Sequence, residues 1–171
     1  MASTLLPNAT PGGYTLLGQA TLSGASVTFS NIPQNYRDLY LVTYNYRPTT
    51  NDQPLVCRIN SISSSSYRNV TSVDAQNTAL TFSSSFVTLS SNNSSSVGNG
   101  ITNALFQDYT NNTTWKTVFT TAVNNDATTT TSMRHRIGYS VHNITSPITS
   151  LLILSNSGNI TSGTIYLYGV E

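Results

Sequence analysis

Between Ser26 and Arg47 the chain reads SVTFSNIPQNYRDLYLVTYNYR, and its side chains change character at every second residue. Val27, Phe29 and Asn31 alternate with Thr28, Ser30 and Ile32, which is the period of a strand and not of a helix. Pro33 stops that run, because it has no ladder donor and biases Ile32 towards an extended conformation. Gln34, Asn35 and Tyr36 make a corner, and Arg37 and Asp38 sit at the mouth of the next run. From Leu39 to Arg47 one face holds Leu39, Leu41, Thr43 and Asn45, and the other holds Tyr40, Val42, Tyr44 and Tyr46. Apolar character on both faces predicts a central strand with one face in a core and the other at a partner.

The same short-spaced signals recur at Tyr14–Leu22, Leu55–Asn60, Phe82–Leu89, Ile101–Tyr109, Trp115–Val123, Ser132–Val141, Ile148–Leu154 and Ile165–Val170. Ser61 to Thr81 is the least regular part. Ser90–Gly100 (SSNNSSSVGNG) and Asn124–Thr131 read as exposed polar loops. No segment has helical periodicity. The expectation is an all-β, two-sheet sandwich of roughly eight to ten antiparallel strands, closed most economically as a jelly roll. It occupies residues 14–171, behind an extended arm at residues 1–13 that either frays or orders on a neighbouring subunit.

Composition narrows the functional classes. At 171 residues the chain suits one domain with a full core. Only 8% of it is charged, far below the usual level, with Ser, Thr and Asn in place of charge. The formal net charge of +1, one lysine (Lys116) and scattered arginines argue against nucleic acid as a partner. So few charges protect poorly against association, and association is read as the normal state. Cys57 is the only cysteine, so a disulfide framework is ruled out and a small buried side chain is expected there. MASTLLPNATPGG resembles neither a secretory signal nor a membrane span. On that reading the Asn-x-Ser/Thr triplets are chance products of composition and not glycosylation sites.

No catalytic residue, cofactor site or metal site is expected. His135 and His142 lie seven positions apart, on opposite faces of one predicted strand. The aspartates show no paired-carboxylate spacing, and Asp108 reads as a turn former or a partner for Lys116. No serine sits in a Gly-x-Ser-x-Gly setting. The remaining candidates are interface residues. Arg134 and Arg136 are read as pointing outward, where they could pair with carboxylates of a neighbouring subunit. Tyr40, Tyr44, Tyr46, Tyr166 and Tyr168 are large, semi-polar anchors wherever they project. Trp115, beside a turn, suits either hairpin packing or a glycan platform.

One set of residues carries a resemblance. It comprises Val27–Pro33 (VTFSNIP) with Tyr36, Asp38, Leu39, Leu41 and Val42; Gln107–Tyr109 with Lys116 and Thr117; Ile148–Leu151; and Ser162–Val170 (SGTIYLYGV). This order resembles small structural proteins of tailed bacteriophages, many of them from cyanophages and aquatic phage genomes. The resemblance implies a jelly-roll subunit of the virion. Such a subunit would be a homotrimer decorating the capsid exterior and cementing major capsid protein, with no membrane or nucleic-acid partner. The alternative it allows is a tail-fibre or receptor-binding module contacting host glycans through the polar loops.

Overall fold

The structure is a computed structural model, which describes residues 13–74, 77–98, 100–125 and 133–171. The expected arm, apart from Gly13, lies outside the described residues. Among the described residues there are twelve strands and no helix: β1 (Tyr14–Thr21), β2 (Ser26–Phe29), β3 (Asp38–Pro48), β4 (Leu55–Ile59), β5 (Tyr67–Val73), β6 (Asn77–Ser84), β7 (Val87–Thr88), β8 (Gly100–Gln107), β9 (Lys116–Asn125), β10 (Met133–His142), β11 (Leu151–Ser155) and β12 (Ile160–Val170). They form an eight-stranded sheet, in the order β1-β12-β3-β8-β9-β10-β5-β6, and a four-stranded sheet, β2-β11-β4-β7. All pairings between these strands are antiparallel. The sheets pack as a sandwich, as the alternating pattern requires.

The Ser26–Arg47 corner carries the chain from one layer to the other, since β2 belongs to the small sheet and β3 to the interior of the large one. Tyr109 Oη donates to the Pro33 carbonyl, and Gln34 Nε2 donates to the carbonyls of Ile32 and Ile148, so the corner is tied to both layers. The asparagines and aspartates of the sequence shape the backbone. Among the described residues, six of the seven non-glycine residues with positive φ are Asn31, Asn45, Asp52, Asn60, Asp74 and Asp108, the residue types that tolerate the left-handed region best. Asn60 also accepts the backbone N–H groups of Thr149 and Ser150 and donates to the Pro147 carbonyl, fixing the entry to β11.

Between the layers, Leu39, Leu41, Phe106, Val118, Ile165 and Leu167 of the large sheet meet Leu55, Cys57, Ile59, Val87, Leu151 and Ile153 of the small one. Towards β9, β10 and β5 the interior turns polar, and Thr120, Arg136, Ser140, Asn69 and His142 are all buried there. Cys57 is buried too, and burial pushes its thiol pKa up, away from reactivity.

Three expectations need correction. Ser61–Thr81 is not irregular, since all of β5 and the first part of β6 lie in it; Thr and Ser replace apolar residues there and blur the alternation. Ser90–Gly100 is not an exposed loop tip, because Ser90, Ser91, Asn93 and Ser94 are buried. Ser90 Oγ accepts the Leu55 amide, Asn93 Nδ2 donates to Ser90 Oγ, and Ser91 Oγ donates to Asn124 Oδ1. The polar side chains satisfy buried backbone groups there and do not solvate a tip. Asn124 and Asn125, expected in a loop, end β9 and are buried, while positions 126–131 of that loop lie outside the described residues.

Candidate interaction surface

Among the described residues, no layer lies over the face of the large sheet turned away from the small one. Strand register places Leu16, Tyr168, Tyr40, Leu105, Phe119, Tyr139 and Val70 side by side across β1, β12, β3, β8, β9, β10 and β5. A second row contains Tyr166, Val42, Asn103, Thr121, Ile137 and Ser72, and a third Thr164, Tyr44, Ile101, Val123 and His135. Across these three rows His135 is the one residue that can carry charge. Tyr14 is 60% exposed and Tyr139 54%, and Leu16, Tyr44, Ile101 and Ile137 are exposed as well. Contiguous apolar surface of this kind marks an interaction site more often than it is left wet.

The rings gather in two groups. Around β1, β12 and β3, Tyr14 lies edge-on to Tyr40 at 5.3 Å and to Tyr168 at 6.2 Å, Tyr44 is edge-on to Tyr166 at 6.1 Å, and Tyr166 stacks on Tyr168 at 6.4 Å. On β9 and β10, Phe119 and Tyr139 tilt together at 5.0 Å. Burial among neighbouring side chains, and secondarily the Tyr14 and Tyr44 hydroxyls, hold the Tyr40 phenol pKa above its usual value. Mutual ring packing limits side-chain freedom, so less entropy is lost when a partner arrives.

Tyr40, Tyr44, Tyr166 and Tyr168 therefore come together on one face; alternation groups Tyr40 with Tyr44 and leaves the direction of Tyr166 and Tyr168 open. Tyr46 does not join them. Asn45 adopts a left-handed φ of 55°, the pairing of β3 with β12 shifts register between Thr164 and Ser162, and the alternation inverts. Tyr46 turns into the core, where its hydroxyl lies 3.0 Å from Ser155 Oγ and burial raises its pKa to about 12. Arg136 is a second correction: it points inward and is fully buried, because β10 lies inside the sheet, between β9 and β5, and not at its edge. Arg134 is half-exposed at the end of β10 and pairs with Asp74 at 2.8 Å. Lys116 is buried and donates to the carbonyls of Asn111 and Thr114. Asp108 acts as a turn former at φ 47° and accepts from Asn111 Nδ2.

Sequence reading missed Tyr14, Leu16, Phe119, Ile137 and Tyr139 as surface residues. The signal was present in the β10 alternation of Met133, His135, Ile137 and Tyr139, but assigning the arginines outward turned that face into the core. Trp115 is half-exposed, with the Arg68 guanidinium 5.9 Å from its ring centroid. The chain matches no protein-family model, no curated protein and no solved structure.

Proposed function

We propose that this protein is a virion structural protein of a tailed bacteriophage: a homotrimer on the outer capsid surface that stabilises joints between major capsid subunits. The observation that carries the reading is the open aromatic face of the large sheet. With strands about 4.8 Å apart, an eight-stranded sheet is roughly 34 Å wide, and three rows of side chains cover roughly 600 Å². That is close to the roughly 800 Å² each partner gives to a standard interface. The face also carries two unlike aromatic groups, the tyrosines of β1, β12 and β3 and the Phe119–Tyr139 pair. A heterologous contact joins unlike patches, one from each copy, and gives a ring such as a trimer where the rotation closes.

Strand order supports a jelly-roll origin. In a jelly roll lettered B to I, the sheets run B-I-D-G and C-H-E-F. Assigning β2 to β7 as B to G, the β8-β9-β10 meander as H and β11 as I reproduces both orders, with β12 and β1 added beside C. The resemblance of the VTFSNIP corner and the SGTIYLYGV strand to phage structural proteins points the same way. Attachment would be a clamp: several modest contacts held on one trimer act at high effective concentration. A face with so little charge should hold with weak dependence on salt.

The test is to measure the mass of the purified protein in solution and to image intact virions. A trimer, present in hundreds of copies over the shell, is the expected result. A monomer at micromolar concentration, or a handful of copies confined to the tail, would defeat the proposal. The latter outcome would favour a tail-fibre module.

A further inference from the structure

At the β5–β10 end of the sandwich a cavity of about 300 Å³ opens between the two sheets, at the lower end of the size range of small-molecule sites. Arg136 lies in its wall, together with Thr71 of β5, Thr88 of β7, Ser90, Ser91 and Asp52. The Arg136 guanidinium is fully buried, yet its hydrogen-bond partners are all neutral. Nη1 donates to Thr120 Oγ1 at 2.7 Å and to the Leu89 carbonyl at 3.3 Å, Nη2 donates to Thr71 Oγ1 at 3.0 Å, and Nε has no partner. Among the described residues the ion pairs are Arg37–Asp38 and Arg134–Asp74, so no carboxylate answers Arg136.

A buried cation without a counter-charge is costly, and a packed apolar side chain would serve a purely structural role better. The fold nevertheless makes room for it. A Cβ on Gly138 would fall 2.7 Å from Arg136 Nη2 and 2.6 Å from Thr120 Oγ1, so the neighbouring position on β10 goes without a side chain. Arg134, also in the wall, is already matched by Asp74, which leaves Arg136 as the cation to be neutralised. That suits a monoanion better than a dianion, which Asp52 in the same wall would repel. The planar guanidinium fits a carboxylate. Ser90 Oγ is saturated by Leu55, Asn93 and the Ser91 carbonyl, so the Thr88 hydroxyl, the Ser91 oxygen as an acceptor and the Asp52 carboxylate are the groups left to exchange hydrogen bonds with a polyol.

We infer that this cavity is a binding site for a carboxylate-bearing sugar, with the carboxylate directed at Arg136 and the sugar hydroxyls at the serine, threonine and aspartate groups. The site is separate from the aromatic face and does not depend on the function proposed above. Titration calorimetry of the full chain with glucuronic acid, glucose and acetate tests it. Glucuronate should bind one per chain, at least tenfold more tightly than either glucose or acetate. Val73→Glu places a carboxylate opposite Arg136 on the paired strand and should abolish that binding while the far-ultraviolet spectrum is retained. Arg136→Met should do the same. No binding of glucuronate by the wild type overturns the inference, as does binding matched by acetate, which means a simple anion hole, or by glucose, which means no role for the charge. Glucuronate binding that survives in folded Val73→Glu overturns it too.

Discussion

The imidazole of His142 lies flat against the phenol ring of Tyr67, with 3.8 Å between centroids and 12° between planes. Its Nε2 is 2.8 Å from Ser66 Oγ, and its buried Nδ1 has no partner. A serine beside a histidine invites a catalytic reading, but no carboxylate orients the ring, and such a dyad lacks the third group that makes it work. Burial lowers the His142 pKa from 6.5 to about 4. The unfolded chain takes up its proton near pH 6.5 while the folded one resists until about pH 4. Stability from this group is therefore complete above the first value and is lost as pH falls through the second. Urea midpoints should fall steadily from pH 7 to pH 4, and His142→Phe should flatten that slope. An unchanged slope in the variant would show that the loss comes from other groups. Asp74, held below its usual pKa first by the His135 amide and then by Arg134, contributes only at the acid end of the scale.

Gly138 and Arg136 share one space, so their substitutions should not be additive. Gly138→Ala alone should cost about 1–3 kcal/mol through overpacking. In an Arg136→Met background the same change should cost less, because the long flexible side chain yields. Denaturant melts of the four proteins in the cycle measure the coupling, and strict additivity would mean the glycine serves some other purpose.

Ile137→Arg with Tyr139→Arg should convert the proposed trimer to monomer while changing protomer stability by no more than about 0.5 kcal/mol, as expected for exposed positions. Light scattering behind a sizing column reads the first outcome, and thermal melts read the second. An oligomer that survives both arginines would place its contacts elsewhere.

Tyr44 and Tyr46, two positions apart, should behave oppositely. Tyr44→Ala should weaken assembly and leave the fold intact. Tyr46→Phe should leave assembly unchanged and lose about 1 kcal/mol with the bond to Ser155. Asn45→Val, which forces a β-branched residue into the left-handed region, should cost on the order of 1–2 kcal/mol, whereas Asn45→Gly should be nearly neutral. Equal effects of the two valine and glycine changes on melting temperature would show that the inversion at Asn45 does not depend on its backbone angle.

The class of fold was legible because alternation survives wherever one face is apolar, as in β3, β8, β9 and β12. It failed where both faces are polar. In β5, Asn69 is buried like a core residue because it bonds to the Phe86 carbonyl and to Ser140, and nothing local in the sequence announces those partners. The candidate surface was half legible. Tyr40 and Tyr44 could be grouped from period alone, but the directions of Tyr166, Tyr168 and Arg136 could not. A charged residue is assigned outward by default, and nothing local in the sequence shows that the Arg136 face of β10 is the one turned to the other sheet. Tyr46 escaped for a different reason: a single left-handed asparagine inverts everything beyond it.

The positions of β11 and β12 have a consequence for how the molecule is made. β11 sits between β2 and β4, and β12 between β1 and β3, so the last two of these strands to be synthesised each fill an interior place in a different sheet. A nascent chain that has not yet produced them has a gap in both layers and cannot close its core. Folding must then wait on synthesis, and pairing partners so far apart in sequence should make it slow. In the interval the aromatic face and the unfilled gaps would be open to chaperones and to other unfinished copies.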